Sequence, residues 1–351
     1  IQVEALARGV EVTLKRNGSR GLFWLEPLVE VETTEGRVAY GPVAPEDVPG
    51  LFEAGFLSGG DHALAHGLTE SIPYLRNQER LTFARMGVIE PLDLKAYRDT
   101  GGLTGLIKAA GMAPEAIVAE VTESGLRGRG GAGFPTGIKW KTVGEQPEPQ
   151  KYICCNADEG DSGTFADRMI MEGDPFALIE GMAIAGLAVG ATEGYVYIRT
   201  EYPHAISTMK AAIGLMRAAG YLGVDVAGSG RVFELHVRRG AGAYICGEES
   251  SMLESLEGKR GMVRAKPPIP AIAGLFGKPT VVNNVLSLAA VPTILAKGAA
   301  FYRDFGVGRS RGTQAFQLAG NIRHGGLVEK AFGITLRELI DEYCGGMPEG
   351  H

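Results

Sequence analysis

Residues 125–140 read G-L-R-G-R-G-G-A-G-F-P-T-G-I-K-W, with six glycines in sixteen positions. A backbone so free of Cβ atoms can run close against a flat or anionic ligand. Gly128, Gly130 and Gly133 satisfy the spacing G-x-G-x-x-G. That spacing marks a dinucleotide fold only where a strand leads in and a helix leads out. Here residues 116–124 lead in, and Ile117, Val118 and Val121 share one face of a short helix. Pro135 and Gly137 are expected to interrupt any long helix that follows. The stretch therefore reads as a ligand loop outside an ordinary Rossmann setting, the alternative being a structural turn.

At 351 residues with 45 % hydrophobic side chains, the chain is long enough for two or three units with cores of their own. Thirty-five Lys and Arg against 41 Asp and Glu give a net charge of −6. No basic block is present, which argues against nucleic acid as the main partner. No apolar run reaches the ~18 residues of a membrane span, so no direct membrane insertion is expected. The four cysteines, Cys154, Cys155, Cys246 and Cys344, match neither a disulfide framework nor a zinc or iron–sulfur spacing. They read as buried thiols of a reducing compartment, which favours the cytoplasm.

In residues 1–70 the pattern predicts strands over 10–15, 22–31 and 37–40, and a helix over 45–54 opened by Glu46 and Asp47. Residues 71–113 read as a helical linker, with helices over 76–85, 91–97 and 102–110. Residues 114–308 form the core unit. A strand over 152–155 delivers Asn156, Asp158 and Glu159 at its end, where α/β folds place ligand groups. Asp174-Pro175 starts a helix running to 189. A strand over 194–199, a helix over 204–219, a strand over 232–238 and a helix over 247–256 follow. Glu248 and Glu249 stand in the first turn of that last helix, and Asn283 and Asn284 lead another. This alternation predicts an α/β fold with a mostly parallel sheet. A strand over 313–320 and a helix over 335–343 begin a last piece, residues 309–351.

The glycine stretch resembles the flavin and nicotinamide loop of the NADH-binding flavoprotein subunit of respiratory complex I. Soluble NAD-linked hydrogenases and formate dehydrogenases carry related subunits. Three further stretches match that family in the same order: C-N-A-D-E-G-D-S-G-T-F-A-D-R from Cys155, G-A-G-A-Y-I-C-G-E-E-S from Gly240, and G-K-P-T-V-V-N-N-V from Gly277. The resemblance covers residues 74–344.

The resemblance implies FMN held by Gly128, Arg129, Gly130, Lys139, Asn156, Asp158, Glu159, Tyr244, Gly247, Glu248, Asn283, Asn284 and Ser287. It implies NAD(H) held by Gly131, Ala132, Phe134, Asp161, Glu249 and Lys266. Lys139 would stabilise negative charge on the reduced flavin, and no side chain would act as acid or base in hydride transfer. Each residue also has a bland reading. Lys139 can be a surface lysine, N-A-D-E a common turn, Phe134 a core residue, and Glu248 and Glu249 ordinary helix-start acids. The chain departs from the family at Asp161, where relatives usually carry Glu, and at Ile269, where they often carry an aromatic residue.

By the same resemblance, residues 1–70 are similar to part of a thioredoxin-like domain, but they lack the cysteines of its [2Fe–2S] cluster. Residues 309–351 are similar to the start of a ubiquitin-like domain. A [4Fe–4S] cluster is expected only in a following part that is missing here, and no metal site is expected in these residues. The cluster-free N-terminal piece favours the β subunit of a soluble NAD-dependent formate dehydrogenase. Its partners would be an iron–sulfur thioredoxin-like small subunit and a cluster-bearing catalytic α subunit. The alternatives are a complex I subunit, the diaphorase subunit of an NAD-reducing hydrogenase, and, from another class, a cofactor-free docking scaffold.

Overall fold

The structure, a computed structural model, describes residues 1–161 and 163–350. Contacts divide the chain into two compact units. One contains residues 1–79, 315–330 and 334–351; the other contains residues 80–314 and 331–333.

The first unit opens with helix α1 (Gln2–Ala7). Residues 10–15, expected as a strand, have no regular structure. Val10 and Leu14 are exposed, so their alternation finds no partner strand to pack against. Residues 22–31, expected as one strand, split into a 3-10 turn at Phe23–Leu25 and strand β1 (Val29–Thr33). β1 pairs antiparallel with β2 (Gly36–Tyr40), in the register Val29 opposite Tyr40. Helix α2 (Val48–Glu53) follows, then β3 (Ala65–Leu68), which pairs antiparallel with β2. Helix α3 (Pro73–Arg76) is the last element before the second unit.

The helix expected over 76–85 stops at Arg76. Tertiary pairing holds the segment after it. Arg85 bonds Asp174 at 2.8 Å and lies 4.6 Å from the Tyr97 ring centroid. Asp93 caps α4 (Leu94–Asp99) by accepting the Ala96 N–H at 2.9 Å. α5 (Thr104–Ala110) and α6 (Pro114–Glu123) lead to the glycine stretch. Beyond the stretch, α7 (Thr136–Gly144) forms at once, contrary to the expected interruption. Pro135 stands outside the helix at its N-cap, where its fixed φ costs nothing. A Cβ on Gly137 would lie 2.2 Å from the Thr122 hydroxyl oxygen, so this glycine lets α7 close on α6.

Four strands form the sheet of the second unit: β4 (Tyr152–Ala157), β5 (Glu193–Ile198), β6 (Glu234–Arg239) and β7 (Thr280–Asn284). They are ordered β6-β5-β4-β7 and all run parallel, as the alternation predicts. The five-residue β7 is too short to stand out from periodicity. Between the strands lie α8 (Ala166–Gly173), α9 (Pro175–Val189), α10 (Pro203–Ala218), α11 (Glu249–Leu256) and the short α12 (Pro270–Ala273). Every residue of α9 is buried, which accounts for a helix that is apolar on all sides. After β7 come α13 (Val285–Lys297), α14 (Ala299–Arg303) and the two-residue strands β8 (Gly306–Val307) and β9 (Ser310–Arg311). α9 packs against α13 and β4. Cys154, Tyr197 and Val282 of the sheet join Met252 and Leu253 of α11 in one buried cluster. All four cysteines are buried and unbridged, and burial pushes the Cys154 and Cys155 thiols up.

The chain then returns to the first unit through β10 (Thr313–Leu318), β11 (Gly326–Ala331), α15 (Leu336–Glu338) and a π-helical turn at Leu339–Tyr343. Leu22, Tyr74, Val328, Leu339 and Tyr343 share one buried cluster. The Tyr74 hydroxyl donates to the Leu327 carbonyl at 2.9 Å. Residues of 1–70 and 309–351, expected as separate pieces, thus contribute to one core, consistent with the small apolar area either piece could bury alone.

Candidate functional site

Parallel strands gather their loops at their carboxyl ends. Asn156 of β4 lies opposite Asn284 of β7, at the end of each strand. The glycine stretch returns to this edge as a narrow loop. Arg127 and Pro135 bridge its neck, Gly128 N–H donates to the Phe134 carbonyl at 2.8 Å, and Thr136 N–H donates to the Leu126 carbonyl at 2.9 Å.

The loop is docked through its backbone. Arg129 N–H donates to the buried Ser287 hydroxyl at 2.8 Å. A Cβ on Gly130 would sit 3.1 Å from the Asn284 Cβ, so a side chain there would push the loop off the strand end. Asn284 is itself fixed. Its Oδ1 caps α13 by accepting the Leu286 N–H at 2.9 Å, and its Nδ2 donates to Asp167 Oδ2 at 2.6 Å. The Arg129 guanidinium is turned into the structure. It donates to the Tyr302 hydroxyl and the Arg311 carbonyl at 3.0 and 2.8 Å and lies over the Phe332 ring. Gly131 and Ala132 at the tip are exposed, as is Phe134 at 50 %.

Asn156 Nδ2 donates to the Gly247 carbonyl at 2.8 Å and ties the β4 loop to the one after β6. Tyr244, 77 % exposed, lies over Gly160, where a Cβ would meet its ring at 2.8 Å. Asp158 is half-buried. Burial pushes its carboxyl up to about 6, with Arg199 opposing and Glu201 adding. Asp161, exposed, accepts the Gly163 N–H at 3.1 Å.

Glu159 is almost wholly buried and caps α8 from a distance, accepting the N–H groups of Asp167 and Arg168 at 3.0 and 3.3 Å and the Tyr202 hydroxyl at 3.0 Å. Burial raises the pKa of both Glu159 and its buried neighbour Asp167. Asn283 is likewise turned inward, its Oδ1 accepting the Trp140 indole N–H at 2.8 Å. Both side chains are engaged by partners within the protein.

A charged group gathers at the start of α11. Glu248 is its N-cap, accepting the Ser250 and Ser251 N–H groups at 2.9 and 3.0 Å. Burial pushes this carboxyl up, but Ser250, Ser251 and Lys266 outweigh it and hold the pKa below its usual value. Lys266 Nζ bridges Glu248 and Glu249 at 3.1 and 2.8 Å. Lys139 comes from α7, donates to the Val282 carbonyl at 2.7 Å, and stands 3.8 Å from Glu249. Burial lowers its pKa, against the pull of Glu249.

The structure therefore brings together the glycine loop, Asn284 and Ser287; Asn156 with Gly247; and Lys139 with Glu249 and Lys266. Sequence reasoning does not single out Asp167, Arg199 or Tyr202. Asp167 is the second-last residue of the motif from Cys155 and was open to notice there. Cβ-free approaches at Gly130 and Gly160, exposed backbone at the loop tip, exposed Tyr244 and Phe134, and a partly buried lysine suit a flat, anionic ligand. Among the described residues, no cluster of His, Cys, Asp and Glu could hold a metal ion. Among them, too, no helix is long and apolar enough to cross a membrane.

Residues 121–293 match the model of the Nuo51 FMN-binding domain, of the complex I 51 kDa type. The chain is 55 % identical over 254 residues to an NADH-quinone oxidoreductase subunit of Rhizobium meliloti, covering 72 % of this chain and 60 % of that protein. It is 48 % identical over 275 residues to the NADP-reducing hydrogenase subunit HndC of Solidesulfovibrio fructosivorans, covering 78 % and 56 %. Among solved structures, an NAD+-reducing [NiFe]-hydrogenase in the H2-reduced state has a chain with a TM-score of 0.65 and 34 % identity, covering 87 % of this chain and 50 % of that one. The chain thus spans 50–60 % of the length of these relatives.

Proposed function

We propose, from the premise that residues 121–293 belong to the Nuo51 FMN-binding domain family, that this chain is the diaphorase part of an NAD-linked oxidoreductase complex. FMN would supply hydride exchange with NAD(H) and single-electron exchange with iron–sulfur clusters held elsewhere. The observation that carries this reading is the docking of the glycine loop on Asn284 and Ser287, beside Lys139.

The chain's own residues contribute binding and charge. The backbone at Gly128, Arg129 and Gly130 offers a Cβ-free surface to a ring system, and Asn156, Asp158, Tyr244 and Gly247 bound the same edge. Lys139 supplies positive charge for the negative charge that reduction adds. Gly131, Ala132, Phe134 and Asp161 would face the nicotinamide nucleotide, and Glu249 and Lys266 would bind its polar groups. Glu159, Glu248, Asn283, Asn284 and Ser287 hold the loops in place. No side chain is assigned as an acid or base for hydride transfer.

We further propose the β subunit of a soluble, cytoplasmic, formate-oxidising complex as the setting, with iron–sulfur subunits as partners. Residues 1–70, similar to part of a thioredoxin-like domain and without a cysteine, support this setting. Two measurements test the proposal. Flavin released by heat from the purified protein should chromatograph as FMN, and the full-length chain should co-purify with subunits that give formate-dependent NAD+ reduction. FAD, or no flavin, counts against the first reading. Co-purification with hydrogenase or quinone-reducing subunits replaces the second and leaves the first standing.

A further inference from the structure

Behind the glycine loop, at the opposite end of its neck from the tip, lies a cavity of about 300 Å³. Arg127, Arg303, Arg309 and Arg311 line it, with Leu126 and Pro135. Arg303 ends α14, and Arg309 follows β8 in the turn to β9, which carries Arg311.

Several other arginines of this unit are paired with carboxylates. Arg264 bonds Glu254 and Glu257 at 2.5 and 2.8 Å, Arg217 bonds Glu234 at 2.9 Å, and Arg85 bonds Asp174 at 2.8 Å. The four cavity arginines make no ion pair with a carboxylate among the described residues, in a chain whose net charge is −6. Like charges drawn around one small space repel unless an anion joins them. Guanidinium forks match phosphate oxygens in shape and charge.

We propose that this cavity is a binding site for a pyrophosphate group, either free or on a nucleotide, separate from the flavin and nicotinamide edge of the glycine loop. The site is mechanically tied to that loop. Arg127 and Pro135 form the bridge at the neck, and the Arg311 carbonyl accepts from Arg129 at 2.8 Å. An anion in the cavity grips the neck from behind while the tip stays open. The cavity is too small for a folded partner and of a size for a diphosphate.

The test is calorimetric titration of the purified flavin-containing protein with inorganic pyrophosphate and, separately, with ADP, at low salt. Arg303→Gln combined with Arg309→Gln supplies the control, since both side chains are exposed and neither belongs to the flavin or nicotinamide residues. One saturable event is expected, weakened roughly tenfold or more in the double variant and by added salt. Flavin content and NADH turnover should be unchanged. ADP binding that is tighter than that of pyrophosphate and is weakened by the double variant identifies a nucleotide as the ligand; equal affinities, both weakened by the variant, identify the free anion. Absence of saturable binding overturns the proposal. Binding retained in full by the double variant does so too, because it places the anion at the nicotinamide edge.

Discussion

After β4 the chain sets Asp158 and Glu159 side by side; after β6, through the loop of residues 240–247, it sets Glu248 and Glu249. In each pair one acid caps a helix and its neighbour does not, but the order is reversed and the caps differ. Glu248 caps the helix it starts, remains partly exposed, and shares Lys266 with Glu249. Glu159 reaches over an intervening loop to cap α8, and does so buried, beside a second buried acid, Asp167. A local cap can be replaced by water; a remote buried one cannot. Adjacent acids within one motif therefore have different work, decided by which of them the fold sets against the N–H groups of a helix start.

The largest expected effect is on the buried side of this contrast. Glu159→Ala leaves two N–H groups and the Tyr202 hydroxyl without their acceptor and should destabilise the protein by about 3 kcal/mol or more. Glu159→Gln keeps an acceptor and removes the repulsion with Asp167, so its cost should be about 1 kcal/mol. Urea unfolding of both variants measures the difference. Equal losses would show that the charge of Glu159 matters more than its acceptor oxygens.

Next comes the acid of the second pair that caps no helix. If Glu249 binds the nicotinamide nucleotide, Glu249→Gln should raise the KM for NADH with an artificial acceptor by roughly 10- to 150-fold, FMN remaining bound. Loss of flavin with an unchanged KM would move Glu249 to the flavin side of the site. Glu248→Ala should act mainly on stability, by about 1 kcal/mol, the cost of one helix cap. If its loss matches that of Glu159→Ala in the same unfolding experiment, the distinction between local and remote caps fails.

The same contrast explains what the sequence makes legible. Glu248 is readable as a helix-start acid because cap and helix are contiguous. The cap of α8 by Glu159 depends on a loop closure that no local pattern encodes. α9 and α10 are legible from their prolines and apolar spacing. α7 is not, because Pro135 and Gly137 ordinarily break helices, and only the approach of Thr122 reveals why Gly137 is there. Tyr74 and Leu327 lie 253 positions apart in sequence, so the core that joins the two ends of the chain is invisible to any window of residues. At the site, Lys139 and Glu249 are found by motif. The inward turn of the Arg129 guanidinium is fixed by Tyr302, Arg311 and Phe332, far along the chain.

Asp158 gives the finest test, because it is the half-buried neighbour of the buried cap. In the unfolded chain an aspartate ionises near pH ~3.9; in the fold, burial pushes Asp158 up to about 6. Between those values the folded protein holds a proton that the unfolded chain has released. Its contribution to stability is therefore fully present below about pH 4 and is lost as pH rises through about 6. Asp158→Asn should remove this part of the slope, so the variant gains on the wild type between about pH 4 and 7 and matches its trend outside that window. Glu159 and Asp167, whose pKa values are raised too, contribute slope of the same sign in both proteins and cancel in the comparison. Urea midpoints across this pH range measure it. Parallel profiles would show that Asp158 stays solvated like an ordinary surface acid, and that burial at this strand end belongs to Glu159 alone.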